Sequence, residues 1–455
     1  MTKKKLFTQF SPVSEKAYKQ KIQVDLKGED YNDSLVWKSP EGIHVKPFYH
    51  GDTGTAIPVH TPTQWHIGET IFILEAVAAS NTATKAISNG TEALLFMADK
   101  PFEIHKLLEP LANKNIPLYF ELNFLDYAFA KALSEKANSL NLPLYLNIDL
   151  IANLAIDGNW HHSMEQDHSI LTELLAHNGN VISVDTGHYQ NAGATITQQL
   201  AYGLSHVNEY FNFAEGHSLP LDSIHFKVAI GSNYFFEITK IRALRLLFDT
   251  LKKEYKTAAK TTCHISAQPT QRNKTLYDYN TNMLRTTTEC MSAVLGGANT
   301  IINRPYDDIY HKTNEFGQRI SRNQLLILKK ESYFDAVSSP ADGAYYIESL
   351  TTELATNALK IFKEIEASGG FLKQLKEGKI QRKIKESALK EQEDFDAGHT
   401  TLLGTNIHPN PEDKMKHNLE LYPFVKHKPR KTIIEPIIAK RLAEELEKER
   451  LDTEN

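Results

Sequence analysis

The sequence has 455 residues, of which 41% are hydrophobic, with a formal net charge of −5 and a mean hydropathy of −0.40. This composition is sufficient for a sizeable core, and the weakly acidic charge argues against a nucleic-acid-binding protein. No apolar run approaches the roughly 20 residues of a membrane helix. The 2 cysteines exclude a disulfide framework, so the expected location is the cytoplasm.

Residues 1–66 are polar with scattered aromatic side chains, and we predict that they form an extended amino-terminal arm. Residues 35–43 are typical of an extended chain around a turn. Such an arm cannot bury its own apolar residues, so we expect it to lie against another surface and to bind a partner. Exposed aromatic residues commonly mark interfaces, and Trp37, Phe48 and Tyr49 are the expected contacts, with Trp37 as the main anchor.

Residues 67–340 show a regular alternation of short apolar runs and helical stretches. Residues 68–80 have helical periodicity, and seven apolar runs predict strands in the segment that follows. Seven strand–helix units predict a parallel sheet, and an eighth strand at 334–337 would close a β/α barrel. A doubly wound open sheet is the alternative. The seven predicted strands are 93–97, 117–122, 143–148, 181–184, 224–230, 261–266 and 299–302.

The remainder of the chain is predicted to be helical, with one linker. Helices at 345–367 and 371–393 belong to a segment, 341–404, that is expected to pack on the barrel. Gly369 and Gly370 end the first of these helices. Residues 405–455 are predicted to contain a linker around the prolines at 408–411 and a charged helix at 435–449.

His188 is the principal candidate for a functional group. It follows the predicted strand at 181–184, and the loops after barrel strands hold the functional groups of β/α barrels. An imidazole there could act as an acid, a base or a hydrogen-bond donor, although a structural role is the alternative.

Two other clusters contain residue types that can bind metals or act as nucleophiles. The His and Glu residues of 161–168 resemble a metal cluster, but a solvated polar loop explains them better. Cys263 and His264 are adjacent on a predicted strand and therefore point to opposite faces, which argues against a nucleophilic pair.

Several segments of the chain resemble motifs of the methylmalonyl-CoA mutase family, and they occur in the family's order along nearly the whole sequence. Residues 188–194 are similar to H-M-Q-E-A-G-A, and residues 231–243 are similar to G-M-N-F-F-M-E-I-A-K-L-R-A. The other matching segments are 35–47, 285–289, 294–297, 321–324, 339–348 and 364–370. The resemblance implies a (β/α)8 TIM-type barrel of the cobalamin-dependent mutases, and it places His188 at the family's active-site histidine.

Departures from the family pattern bear on the role of the chain. Active mutases carry Y-T-F-R-P-W-T-I-R-Q before the first strand, and their tyrosine lies close to the substrate. Here that tyrosine corresponds to His60 and the two arginines correspond to Thr63 and Gly68. The glycine-containing H-C-Q-T-S-G loop of the family is replaced at 264–269.

The predicted barrel wall differs from that of an active mutase as well. Active mutases thread the CoA arm through a lumen lined by small polar residues. Residues 94–97, 118–120 and 144–146 are bulky at consecutive positions, so whichever residues point inward are expected to fill the barrel.

The sequence has no D-x-H-x-x-G string, the family signature for the lower ligand of cobalamin. We therefore expect no cobalamin-binding domain and no cofactor bound by this chain alone. The resemblance implies a small structural subunit whose partner, the large catalytic subunit, holds adenosylcobalamin and interconverts methylmalonyl-CoA and succinyl-CoA. One alternative is an active acyl-CoA-binding subunit served by a separate cobalamin-binding chain. Another is an unrelated β/α-barrel lyase or aldolase.

Overall fold

A computed structural model of the protein describes residues 8–51, 58–426 and 429–454. The strands in these residues form a short antiparallel hairpin and one large parallel sheet. The hairpin consists of β1 (Trp37–Lys38) and β2 (His44–Val45), and the sheet of β3 (His66–Phe72), β4 (Ala93–Ala98), β5 (Leu118–Leu122), β6 (Leu144–Tyr145), β7 (Ser183–Asp185), β8 (Ser223–Ile230), β9 (Thr262–Pro269) and β10 (Thr300–Ile302).

The eight strands of the large sheet close into a barrel. Neighbouring strands are parallel and follow the order β6-β5-β4-β3-β10-β9-β8-β7. A parallel bridge between Ile148 and Ile182 joins the two ends of this order, and the Ile148 N–H donates to the carbonyl of Val181 at 2.9 Å. The predicted (β/α)8 fold class is confirmed.

Helices follow most of the barrel strands and cover the outside of the sheet. Leu94, Phe96, Leu118 and Phe120 are fully buried in the core between the sheet and these helices. The described helices are α1 (Glu15–Asp25), α2 (Tyr31–Leu35), α3 (Ala76–Ser88), α4 (Ile104–Leu108), α5 (Tyr127–Ser139), α6 (Leu150–Asp157), α7 (Met164–Leu175), α8 (Thr186–Asn191), α9 (Ile196–Gly216), α10 (Tyr234–Leu251), α11 (Thr281–Gly296), α12 (Glu315–Leu326), α13 (Tyr345–Ala367), α14 (Phe371–Lys376), α15 (Lys379–Asp396) and α16 (Glu444–Thr453).

The eighth strand of the barrel is not the one predicted. Each of the seven predicted runs contains a strand, but residues 334–337 form a turn and β3 completes the barrel. The prediction of a helix over 68–80 is wrong for its first residues, because they belong to β3 and α3 begins only at Ala76. Gly68, Glu69 and Thr70 are three consecutive residues that interrupt the apolar residues of β3, so the segment does not show the short apolar run that predicts a buried strand.

The carboxyl-terminal helix also differs from the prediction. Residues 435–443 are not helical, and α16 begins at Glu444. The extended part contributes backbone hydrogen bonds to the barrel instead, as when the Ile437 N–H donates to Ala155 at 2.8 Å. Tertiary contacts therefore override the helical propensity of this charged segment.

The turn predicted in the arm is present as the β1–β2 hairpin, in which Trp37 pairs with Val45. The Ser39 hydroxyl donates to the carbonyl of Ile43 at 2.8 Å across the turn. Ile43 is 1% exposed and joins the main hydrophobic core, so the hairpin rests on the barrel of its own chain.

Candidate functional site

The lumen of the barrel is lined by large side chains that the parallel register places next to one another. Leu95 is paired with Tyr119, and Tyr119 with Tyr145, while His225 is paired with His264 on the opposite wall. Leu95 and Tyr119 belong to a buried cluster separate from the core under the helices. Because side chains alternate along a strand, Leu94 faces the helices and Leu95 faces the lumen.

Tyr119 spans the axis of the barrel. Its strand, β5, lies four positions from β9 in the ring of eight strands and therefore faces it. The Tyr119 hydroxyl is 2.7 Å from Nε2 of His264 and 2.8 Å from Oγ1 of Thr300. The rings of Tyr145 and His264 stack with their centroids 4.5 Å apart. The expectation that bulky residues fill the lumen agrees with this layer.

Two histidines that face the lumen, His225 and His264, are neutral at neutral pH. Nδ1 of His225 is 2.6 Å from Oδ1 of Asn147, and its Nε2 is 2.8 Å from Oγ of Ser266. Burial lowers the pKa of His225 well below its ordinary value, and the neighbouring His264 lowers it further. Burial likewise lowers the pKa of His264 to about 3.

Above this layer, at the carboxyl ends of the strands, lies a cavity of about 480 Å³. Its wall contains an ion triad in which Nζ of Lys227 is 2.9 Å from Oε1 of Glu121 and 2.9 Å from Oδ2 of Asp185. Burial lowers the pKa of Lys227, but the charges of Asp185 and Glu121 outweigh it and raise the pKa above its ordinary value. The pKa of Asp185 is lowered, because Lys227 outweighs the effect of burial there. Lys227 and Asp185 are therefore both charged.

His188 lies at the same cavity, in the short helix α8 that follows β7. The Asp185 carboxylate accepts the backbone N–H of His188 at 3.0 Å and caps this helix. Nε2 of His188 is 2.7 Å from the carbonyl of Ile437, so this nitrogen carries the proton and donates it. Burial lowers the pKa of His188, although the Asp185 charge opposes the shift. The imidazole is thus neutral and engaged by the chain's own backbone.

A buried chain of hydrogen bonds holds α8 in place on the side away from the cavity. The Tyr189 hydroxyl is 3.1 Å from Nδ1 of His206, and Nε2 of His206 is 2.8 Å from Oδ1 of Asp149. The same Asp149 oxygen accepts the hydroxyl of Tyr210 at 2.8 Å. These groups are internal to the protein, and their arrangement positions His188 without contacting the cavity themselves.

Residues 430–443, the mouth segment, run along the carboxyl-terminal end of the barrel. The backbone of this segment is hydrogen-bonded to the ends of helices and strands at the cavity rim. The donor and acceptor pairs are Ile437 and Ala155 at 2.8 Å, Lys440 and Asn191 at 3.1 Å, and Leu442 and Arg272 at 2.8 Å. The mouth segment therefore contributes part of the cover over His188.

The cluster at residues 161–168 is a structured helix start rather than a solvated loop. Asp167 is fully buried, and its carboxylate accepts the backbone N–H groups of His161 at 2.9 Å and His162 at 3.1 Å. Nδ1 of His162 is also 2.9 Å from this carboxylate. Among the described residues, no group of three or more His, Cys, Asp or Glu side chains could hold a metal ion.

Cys263 and His264 point to opposite faces of β9, as predicted. His264 lies in the lumen, whereas Cys263 packs against the core under the helices. Burial raises the pKa of the Cys263 thiol to about 11, so the thiol is protonated and unreactive.

The aromatic residues of the arm contact the chain's own surface. The Trp37 ring meets Phe236 of α10 edge-on at 5.7 Å, yet 48% of Trp37 remains exposed. Phe48 packs edge-on against Tyr18 of α1 at 4.7 Å, and Tyr49 packs against a tyrosine of α13 at 5.0 Å. Both are partly buried. The structure thus leaves Trp37 as the most exposed member of this trio.

The residue at the position of the family's substrate tyrosine, His60, is exposed. Trp65, which the chain shares with the family motif, is 4% exposed, and its Nε1 donates to the carbonyl of Phe334 at 3.3 Å. The ammonium of Lys329 lies 4.8 Å from the centre of the Trp65 ring. The retained tryptophan therefore has a packing role.

Sequence reasoning missed Lys227, Glu121 and the two lumen histidines. The signal that could have found them is their position. Lys227 and His225 stand at alternate places in an otherwise apolar strand, where a polar side chain must face the lumen.

None of the described helices is long and apolar enough to span a bilayer.

A comparison with known proteins found a matching family profile and related sequences that share most of this chain. A family profile described as Methylmalonyl-CoA mutase matches residues 124–451. The methylmalonyl-CoA mutase small subunit of Porphyromonas gingivalis is 32% identical, over 90% of this chain and 72% of the relative. A methylmalonyl-CoA mutase of Cereibacter sphaeroides is 27% identical, over 86% and 64%. The methylmalonyl-CoA mutase large subunit of Streptomyces virginiae is 29% identical, over 82% and 59%.

Proposed function

Because the chain belongs to the methylmalonyl-CoA mutase family, we propose that it is the small, structural subunit of a heterodimeric adenosylcobalamin-dependent mutase. In this role it is catalytically inactive alone. Its partner is the large subunit, which holds the cofactor and interconverts methylmalonyl-CoA and succinyl-CoA. The similarity to relatives named as small and large subunits supports a two-subunit enzyme.

The filled lumen is the observation that carries the proposal. The resemblance implies that an active mutase admits the CoA arm through its lumen. Here Tyr119 reaches from one wall to His264 on the other, and both side chains are buried among neighbouring rings. A reaction that depends on bringing substrate to a fixed position cannot proceed where the substrate cannot enter.

The size of the cavity at the barrel mouth supports the proposal that this chain alone binds no corrinoid. The cavity holds about 480 Å³, within the range of small-ligand pockets, whereas a corrinoid is much larger than a drug-sized ligand. The outward nitrogen of His188 is engaged by Ile437, a residue of the mouth segment. We therefore assign no catalytic step to this cavity.

The mutase complex provides the first test. The chain, the large subunit from the same organism and the co-expressed pair are purified, and succinyl-CoA formation is measured with adenosylcobalamin. We expect a stable heterodimer by size-exclusion chromatography, activity in the pair, and neither turnover nor retained cobalamin in the isolated chain. Cobalamin-dependent turnover by this chain alone would falsify the proposal.

A second test addresses the alternative of an active subunit served by a separate cobalamin-binding chain. His60→Tyr restores the family's tyrosine, but the layer around Tyr119 stays in place. We expect no succinyl-CoA from this variant when a cobalamin-binding chain is added. Measurable product would favour the split-mutase alternative.

The arm is the proposed partner-binding element, with Trp37, Phe48 and Tyr49 as contacts. Deletion of residues 1–60 should leave a folded barrel that no longer co-purifies with the large subunit. Circular dichroism of the truncated chain controls for folding. If the truncated chain binds the large subunit with unchanged affinity, the interface lies on the barrel helices instead.

A further inference from the structure

The β1–β2 hairpin contacts the barrel through the apolar side chains of Ile43, Val45 and Trp37. Ile43 inserts into the core, and Trp37 touches Phe236 with one edge only. Beneath the hairpin lies a cavity of about 330 Å³, whose lining includes Trp37, Pro40 and Glu41. Side chains therefore do not fill the space between these three residues and the barrel residues that line the rest of the cavity.

Glu41, in the turn of the hairpin, makes the polar contact that spans this gap. Its Oε1 accepts the backbone N–H of Ile196 at 2.9 Å, and its Oε2 accepts that of Thr197 at 2.6 Å. Its backbone carbonyl also accepts Nδ2 of Asn357, in α13, at 3.3 Å. A single residue of the arm is thus bonded to two helices of the barrel.

The partners of the carboxylate are the first two residues of α9, a helix of 21 residues. Amide groups in the first turn of a helix have no acceptor within the helix, and the helix dipole favours a negative charge there. The helix's own N-cap, Thr195, accepts the N–H of Gln198 and leaves the first two amides to Glu41. Burial raises the pKa of the Glu41 carboxyl, and the hydrogen bonds from Thr197 and Ile196 oppose this shift because they favour its charged form.

We propose that Glu41 is the anchor that holds the hairpin on α9 and so presents the exposed face of Trp37 to the large subunit in an ordered conformation. An ordered contact residue loses less conformational freedom on binding than one on a free arm, which raises affinity. This inference rests on the proposed function, because it names the device that prepares the arm for its partner.

The test compares Glu41→Gln with the wild-type protein. Glutamine preserves the volume, but its amide nitrogen cannot accept an N–H, so one of the two helix amides loses its acceptor. Glu75→Gln is the matched control, because Glu75 is the exposed N-cap of α3 and makes no side-chain capping bond. Circular dichroism verifies that both variants remain folded.

Hydrogen exchange by mass spectrometry provides a readout that does not need the partner. In Glu41→Gln we expect at least about tenfold faster exchange at the amides of Ile196 and Thr197 and in the hairpin, residues 36–46. Affinity for the large subunit should fall about tenfold. Glu75→Gln should change neither quantity.

Each alternative outcome points to a different failure. If hydrogen exchange at these amides is unchanged in Glu41→Gln, the proposal that Glu41 anchors the hairpin is overturned. Faster exchange with unchanged affinity overturns the presentation of Trp37, and Trp37→Ala then tests the proposed interface separately. If the wild-type chain binds no large subunit, the proposed function fails, whereas the exchange data still report on the anchor.

Discussion

The lumen and the mouth of the barrel are built from the same strands but differ in their chemistry. On β5, Tyr119 belongs to the lumen and Glu121, two residues later, belongs to the mouth. On β8, His225 and Lys227 are divided in the same way. Moving two residues along each strand, on the same face, therefore leads from a packed layer of neutral rings to a charged group beside a cavity.

The difference shows how access to solvent decides which polar groups a barrel can hold. In the lumen the histidines are enclosed and stay neutral, since a charge there would lack both water and a counter-ion. At the mouth, Lys227 keeps its charge because two carboxylates accompany it and part of its side chain reaches the cavity. The chain thus has a barrel mouth with polar groups above a blocked interior.

Removing the ring that spans the lumen should have the largest effect. Tyr119→Ala should lower the free energy of unfolding by about 3–5 kcal/mol, because it empties the layer and removes the partner of His264 Nε2 and of Thr300 Oγ1. Tyr119→Phe, the matched control, should cost only about 1–2 kcal/mol through the lost hydroxyl. Chemical denaturation measures both variants. A loss below about 1 kcal/mol for the alanine variant would contradict a packed lumen.

Removing the cation of the mouth should have a smaller effect, because its surroundings are partly open. Lys227→Met leaves Glu121 and Asp185 without a counter-charge and should lower stability by about 2–3 kcal/mol. Adding Glu121→Gln to this variant should recover part of the loss, since it removes one of the two carboxylates. If the loss of stability in the double variant equals the sum of the losses in the two single variants, the three ionisable groups do not interact as a unit.

The pH dependence of stability should separate the lumen from the mouth as well. The pKa of His264 lies at about 3 in the folded protein and near 6.5 in the unfolded chain. Below pH 6.5 the unfolded state therefore binds the proton more strongly, and stability falls as pH falls until about pH 3. The expected slope is about 1.4 kcal/mol per pH unit from this histidine, with a contribution of the same sign from His225. Denaturation of His264→Gln should show a shallower slope, and an unchanged slope would assign the loss to other groups.

The smallest effect is expected at His188. His188→Ala removes the hydrogen bond to Ile437 and should cost about 1 kcal/mol of stability. Turnover of the assembled complex should stay near normal, because this imidazole is engaged by the mouth segment. A fall in kcat of tenfold or more with the complex intact would indicate a second live site. His188→Gln, which keeps a donor, serves as the control for the hydrogen bond.

Much of the barrel could be predicted from local sequence patterns. Each of the seven predicted runs contains a strand, because short runs rich in apolar residues recur between helical stretches. β3 was missed since Gly68, Glu69 and Thr70 break that pattern. Glu69 is compatible with burial only because Thr91 and Arg322, distant in sequence, bond to its carboxylate.

The candidate site was less accessible to sequence reasoning. The position of His188 at a strand end followed from the order of predicted elements, and the resemblance added its match to a family histidine. Its contact with Ile437 joins residues 249 positions apart, and the extended mouth segment overlaps the charged segment that the sequence pattern predicts to be helical. The partner-binding role of Trp37, Phe48 and Tyr49 remains a prediction.

The sequence by itself determined the strand–helix alternation, the family and the bulk of the lumen residues, because these depend on residue type and spacing alone. The tertiary structure decided which alternate residues face inward, which ring crosses the axis and which carboxylate meets which helix. These features depend on closure of the sheet, which brings β5 opposite β9 and sets Tyr119 against His264. The same closure and its surrounding helices place the amino terminus of α9 where Glu41 can reach it.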